Sequence, residues 1–284
     1  MNAKWACAAA AVVLALAPGC KEKGKESAQK AAQDAETLAD QVDKDVAEID
    51  RGLPEGAKKL APLWANGADP RADAQNARQT MIDVRRKVPD LNVAKSTFFA
   101  VADDKGVAIR NDLEQDVMAG LNLPQIFPDL SKALAGEYVV TQGSFPGPSS
   151  KNGPEKDWIA AQPIKNDGGK VVGLYVTGWT YRIFARHLQE VLKSKMAEAL
   201  RTSGDTGKMP IFYVGVFDKS GVYTAPQTPQ VDEKALVDAD LVAKTASGPA
   251  QGAVNITERD FGWGAKRTPK LGPETGVVVL RSEL

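Results

Sequence analysis

Arg110, Phe127, Tyr138, Trp158 and Tyr175 fall within one stretch of the chain and combine a permanent cation with four aromatic rings. Small-molecule pockets have that composition, apolar walls with a few placed polar groups. A guanidinium there could grip a carboxylate through two parallel hydrogen bonds. The same residues have a plainer use, because aromatics on strands are usually core and an arginine at a strand edge is usually solvated. Trp263, set between Gly262 and Gly264 with Lys266 and Arg267 close behind, poses a similar choice. It is either an exposed partner-contact surface, where Trp and Arg are enriched, or part of an ordinary closing strand with a bulge.

Other chemistry is weaker. His187 is the only histidine; it stands beside Arg186, and no serine or cysteine nucleophile pattern accompanies it. A base without a partnered nucleophile reads as a boundary residue with no catalytic role. The stretch SGDTGKM, residues 203–209, lacks the glycine at position 202 and the hydroxyl at 209 that a phosphate loop needs. The acidic turns Asp103-Asp104 and Asn166-Asp167-Gly168-Gly169 lack the alternating oxygen ligands and distant glutamate of a calcium loop. No catalytic residue, metal site or cofactor is assigned, and the chain reads as a non-enzyme.

The ends of the chain say where it works. Lys4, an apolar run from Trp5 to Ala17 and a small-residue exit form a secretory signal, too short for a membrane-spanning helix of roughly 20 residues. Cys20, directly after Ala17-Pro18-Gly19, resembles the lipobox cysteine of bacterial lipoproteins, which becomes the first mature residue and carries the lipid. The match is good at Gly19 and Cys20 and poorer at Ala17 and Pro18. KEKGKESAQK then leaves as a polar tether. Lys21 is not the aspartate associated with inner-membrane retention, so the expected location is periplasm-facing, with the outer membrane slightly favoured. Cys7 goes with the signal and Cys20 is taken, so the folded part has no thiol for a disulfide and no Cys/His zinc site. Removing residues 1–19 takes one lysine and no acid from a chain of 36 basic and 36 acidic side chains, leaving a net charge near −1. Such a balance gives no footprint for nucleic acid.

The elements that must position these residues follow from periodicity. Residues 26–50 read as a helix with a thin stripe of Ala35, Leu38, Val42 and Ile49, interrupted by Asp45 and ended by Gly52 and Pro54. It is either a weak coiled coil or a helix leaning on the domain. Asp69-Pro70 opens a second helix, whose stripe of Ala74, Ala77, Met81, Val84 and Val88 stops at Pro89. STFFAV, an Asp103-Asp104-Lys105-Gly106 turn and VAIRN make a hairpin. Residues 114–135 are helical in short pieces broken at Pro124 and Pro128; EYVVTQGSF is a strand, SFPGPSSKNGP an exposed loop, and DWIAAQPI with KVVGLYVTG a second hairpin. A connecting helix from about Trp179 to Leu200 carries Ile183, Phe184, Leu188, Val191, Leu192, Met196 and Leu200. The order then recurs: IFYVGVF, a turn at Asp218-Lys219-Ser220-Gly221 and VYTAP, helix over 232–246, then QGAVNITE, FGWGAKRTP and TGVVVLRS. The chain thus contains two copies of one five-stranded plan.

Two such modules behind a helical segment resemble a double Cache sensor, the extracytoplasmic branch of the PAS-like folds. VADDKGVAIRND, WIAAQPIKNDGGKVVGLYV and VFDKSGVYTAP carry the resemblance, which covers roughly residues 70–284. It implies an α+β fold of two antiparallel five-stranded sheets flanked by helices. It also implies small-molecule binding between sheet and covering helices, and signalling through a membrane partner. The arginine-plus-aromatics spacing of the amino-acid-binding subset is not found. The expected organisation is a signal peptide at 1–19, tether and helix at 20–67, first module at 68–178, connecting helix and linker at 179–209, and second module at 210–284. The expected function is lipid-anchored sensing of a small organic ligand through a transmembrane signalling partner. The alternative is an envelope scaffold with no small ligand.

Overall fold

A computed structural model describes residues 19–146, 155–203 and 208–284, with side chains from residue 23 onward. The signal segment through Pro18, the side chain of Cys20, most of the Pro/Gly/Ser loop and the centre of the SGDTGKM linker lie outside the described residues.

A helix α1, Gly19–Leu60, leads the chain. Short 3-10 turns and helices α2 (Ala74–Lys87) and α3 (Pro89–Val93) follow. The first module holds β1 (Phe98–Asp103), β2 (Ala108–Asn111), α4 (Leu123–Ile126), α5 (Leu130–Leu134), β3 (Val139–Gly143), β4 (Asp157–Lys165) and β5 (Val171–Thr180). Helix α6, Tyr181–Ser203, leads on to the second module. That module holds β6 (Ile211–Asp218), β7 (Gly221–Thr224), α7 (Gln230–Val237), α8 (Leu241–Lys244), β8 (Ala250–Ile256), β9 (Arg259–Arg267) and β10 (Gly276–Ser282). Both sheets are antiparallel and share one order, β2-β1-β5-β4-β3 and β7-β6-β10-β9-β8. The repeated five-strand plan is therefore the plan of the fold.

Each sheet buries both faces. One face of each joins a single core that runs through α1 and α6: Phe99, Trp158 and Tyr175 from the first module, Val214, Val277 and Val279 from the second. The opposite faces pack separately, the first on α4 and α5 through Leu123, Phe127 and Leu130, the second on α7 and α8 through Leu236 and Leu241.

Helix α1 does more than lean. Its stripe from Ala31 to Leu60 is buried along both modules, and it does not end at Gly52 or Pro54. A Cβ on Gly52 would lie 2.6 Å from the Leu91 side chain, and one on Gly56 2.7 Å from the Tyr175 ring. These glycines are sites of close packing, so tertiary contact overrides their poor helix propensity. Further along α1 the same device recurs with backbone atoms: a Cβ on Gly262 would fall 1.9 Å from the Ala28 amide nitrogen, and one on Gly264 2.2 Å from that of Ala32.

Two other expectations shift. Residues 114–122 form an irregular loop, and Pro124 lies in the first turn of α4, where its fixed φ is tolerated. Trp179 belongs to β5, so the connecting helix starts at Tyr181, and Ile183 on it is 38% exposed.

Candidate functional site at the module junction

The Asp-x-x-Gly turns explain themselves first. Asp103 is buried; its Oδ1 accepts from the Lys105 and Val107 amides, each at 2.9 Å. Asp218, equally buried, accepts from the Ser220 amide at 2.7 Å. Each carboxylate caps its own turn, so both hairpins need an acid there and neither needs a metal. Each also offers its second oxygen to a cation, Arg71 at 3.2 Å for Asp103 and Lys156 for Asp218.

Lys156 comes from the first module and Asp218 from the second, so this pair spans the joint. Lys156 also donates to the Ser220 hydroxyl at 2.9 Å. Beside it Arg182, at the start of α6 and 3% exposed, donates to both carboxylate oxygens of Glu233 on α7, at 2.7 and 2.9 Å. It reaches the Thr224 carbonyl at 3.3 Å and stands 3.9 Å from Glu155 of the first module. Burial pushes the Glu233 carboxyl up, but the hydrogen bonds from Arg182 and Thr224 outweigh it and hold the group below its ordinary range. Tyr181 and Tyr223 meet edge to face at 5.4 Å. Gln142 on β3 donates to the Leu271 carbonyl and, at 3.1 Å, to the Thr275 hydroxyl in the β9–β10 loop. Asp157, the residue after Lys156, is buried, and burial raises its pKa to about 6, against a hydrogen bond from the Phe145 amide at 3.0 Å.

A cleft of about 570 Å³ opens above this polar joint. Asp129, Gln142, Lys156, Asp218, Lys219 and Thr275 are among its walls. Its size is in the range of small-molecule sites, and its side chains offer ammonium, amide, hydroxyl and carboxylate groups to a polar guest.

The residues singled out in the sequence do not converge. Phe127 is fully buried on the α4–α5 face of the first sheet, whereas Trp158 and Tyr175 are fully buried on the α1 face. Tyr138 is 37% exposed and donates to Asp50 of α1 at 2.6 Å. Arg110 is held by its own loop, 3.1 Å from Asp116 and 2.9 and 3.2 Å from the carbonyls of Leu113 and Glu114. Trp263 is 4% exposed, with Lys244 over its ring at 5.0 Å, so it is core rather than an open surface. Arg267 donates to the Val242 carbonyl at 2.8 Å and holds α8. His187 pairs with the buried Asp45 of α1 at 3.0 Å, which accounts for the break in that helix's stripe. The junction residues gave no local signal beyond the turn aspartate Asp218. Glu155 and Lys156 read as the tail of a loop.

No protein-family model matches the sequence, and no curated protein does. Solved structures do share its architecture. The ligand-binding domain of the Campylobacter jejuni chemoreceptor Tlp3, in complex with 4-methylisoleucine, aligns with a TM-score of 0.51 at 12% identity, over 94% of this chain and 95% of that one. The shared fold is two five-stranded antiparallel sheets flanked by helices behind a long leading helix, a double Cache/PAS-like arrangement. An extracellular ligand binding receptor from Desulfohalobium retbaense DSM5692 aligns with the same TM-score at 11% identity, over 88% of this chain. This chain spans 40% of that receptor's length. Both neighbours are described as ligand-binding, one as an extracellular receptor and the other as a chemoreceptor domain. Among the described residues no helix is long and apolar enough to cross a membrane.

Proposed function

We propose that this chain is a sensing module of the cell envelope, tethered by a lipid on Cys20, facing the periplasm and acting through a separate membrane partner. Its ligand is a small polar organic molecule held in the junction cleft. One contrast carries this reading. The space between sheet and covering helices in the first module is filled by Phe98, Leu123, Phe127, Leu130, Ile159 and Phe145, while polar side chains from both modules meet around the cleft. A guest there touches both modules at once, which a two-module sensor needs if binding is to change their relationship. The Tlp3 neighbour, described with an amino-acid-type ligand, supports small-molecule sensing as the fold's use.

The tether places α1 at the membrane end. Close contacts support one shared pole for the two chain ends: Glu283 bonds to Lys30 at 3.1 Å, and its amide to Ser27 at 3.3 Å. Mass measurement of the mature N-terminal peptide tests the lipid; the expected result is an acylated Cys20, and a Cys20→Ser protein released from membranes. The sensing claim is tested by thermal unfolding of detergent-solubilised protein against amino acids, carboxylates, amines and purines. A bound ligand at 100 times its Kd adds about 2.7 kcal/mol, and Gln142→Ala or Lys219→Ala should weaken the response. The dry core of the first module also favours a second reading, an envelope scaffold with no small ligand. No shift across the panel, with cooperative unfolding, selects that one.

A further inference from the structure

Each sheet ends on a repeat-related edge strand, β3 in the first module and β8 in the second. The β3 edge is occupied. Gln142 is bonded to Leu271 and Thr275, and the Pro269–Thr275 loop of the second module lies against it. No loop lies along the outer edge of strand β8 among the described residues, although the start of α1 crosses its face at Ala253. The seven residues of β8, AQGAVNI, contain no charge and no proline, the devices by which proteins usually close an edge to other chains. Gln251, Ala253 and Asn255 are exposed, alternating with half-buried neighbours.

Both sides of this edge are grooved. Toward α7, a groove of about 450 Å³ has an apolar floor that includes Val231, Val254 and Ile256, with Lys234, Asp238 and Lys244 also on its walls. Toward α1, a shallower one of about 440 Å³ is lined by Gln29, Gln33, Glu36 and Gln251. An extended chain beside β8 would pair with the edge's free backbone groups and drop alternate side chains into the two grooves, because strand side chains alternate.

We infer that β8 accepts an extended segment of a partner protein as a sixth strand. Every second residue of that segment is apolar and faces α7; the others carry amides, hydroxyls or positive charge and face the glutamine- and glutamate-lined side. The α1-side groove carries Glu36 and no cation, which sets the preference for positive charge on that side of the segment. A second copy of β8 fits less well. A Cβ on Gly24 would be 3.3 Å from the Ala253 side chain, so the start of α1 lies over the middle of β8. Two-fold pairing there would drive two such helices together. The inference rests on the reading that the chain acts through a separate protein, but it does not involve the cleft. The ligand panel can therefore fail while this succeeds, and the reverse.

The test uses the full-length protein in detergent and lysine-flanked peptides of alternating valine and glutamine, read by hydrogen–deuterium exchange. The expected result is exchange slowed about tenfold or more across 250–256 at saturation, with β3 unchanged. Two versions N-methylated at alternate residues separate strand addition from sticking: methyls along one edge abolish the effect, and methyls along the other leave it intact. The proposal is overturned by no slowing at 250–256. It is equally overturned by equal loss with both methylated peptides, or by protection of these amides that appears with protein concentration alone, which would mark a second copy as the occupant.

Discussion

Asp103 and Asp218 occupy the same position in the two hairpins, and each spends one carboxylate oxygen on the amides of its own turn. Their second oxygens part ways. Asp103 meets Arg71, a side chain 59% exposed, from the segment leading into its own module. Asp218 meets Lys156, 14% exposed, which comes from the other module. The edge strands diverge in the same sense, β3 covered by the second module and the outer edge of β8 left bare among the described residues. A repeat that starts from one plan thus becomes a device with an inside and an outside. The facing ends form a polar joint, and the far edge stays available. Helix α1 makes this asymmetry rigid by running along both sheets in one core.

The sharpest way to break the comparison is to separate α1 from one module at a time. At Gly262 the obstacle to a side chain is the backbone of α1 itself, which cannot yield as a rotamer can. Gly262→Val should cost about 4 kcal/mol or more, at the upper end of single-site effects, with exchange rising first over residues 23–35. Gly56→Ala presses instead on the Tyr175 and Leu91 side chains, which can shift, so about 1–2 kcal/mol is expected. Equal effects at the two positions would mean that α1 is held alike by both modules.

The joint comes next. Arg182→Met strands Glu233 among buried groups and should cost about 3 kcal/mol, while adding Glu233→Leu should recover most of it. Lys156→Met leaves Asp218 without its cation and should cost about 2 kcal/mol. Its repeat counterpart Arg71→Ala should leave the unfolding midpoint within error, because Arg71 is solvent-screened. Denaturation with urea reads all of these, and a large Arg71 effect would erase the distinction between the two turns.

How much of this was legible beforehand depends on range. The strand order followed from period-two runs and from Asp-x-x-Gly turns, whose causes lie within a few residues. Gly52 looked like a helix stop because the reason for a glycine there is Leu91, packed from another element. Trp263 between two glycines fits either a contact surface or a closing strand, and it lies buried on the strand. The legible signal was the pair of glycines itself: residues two apart on a strand share a face, and two without side chains invite a helix backbone close. Ala28 and Ala32 answer them. Arg110 is neither a ligand grip nor a solvated edge residue, because the loop that follows β2 folds back and sets Asp116, six residues on, against it. The joint was least legible of all, since Lys156 meets Ser220 across 64 residues and Arg182 meets Glu233 across 51.

The last test concerns Asp157, the residue after Lys156, and cuts no contact. Asp157 is 3% exposed and its pKa rises from 3.8 to about 6, burial being the main cause. Its protonated form is therefore favoured in the folded state. Between pH 4 and 6 the native protein binds more protons here than the unfolded chain, so this group's contribution falls as pH rises through that window and stays low above it. The shift corresponds to about 2–3 kcal/mol at most, spread over a profile to which other carboxyls also contribute. Asp157→Asn keeps an oxygen to accept from the Phe145 amide and removes the titration. The variant should match the native protein near pH 4 and exceed it by about 2 kcal/mol at pH 7, read as the difference between two urea series. The second module has no counterpart of this buried acid: β9, the repeat mate of β4, opens on the exposed Arg259 and the half-buried Asp260. A difference that persists unchanged at pH 4 would mean that Asp157 is ionised throughout and that its surroundings are wetter than its burial implies.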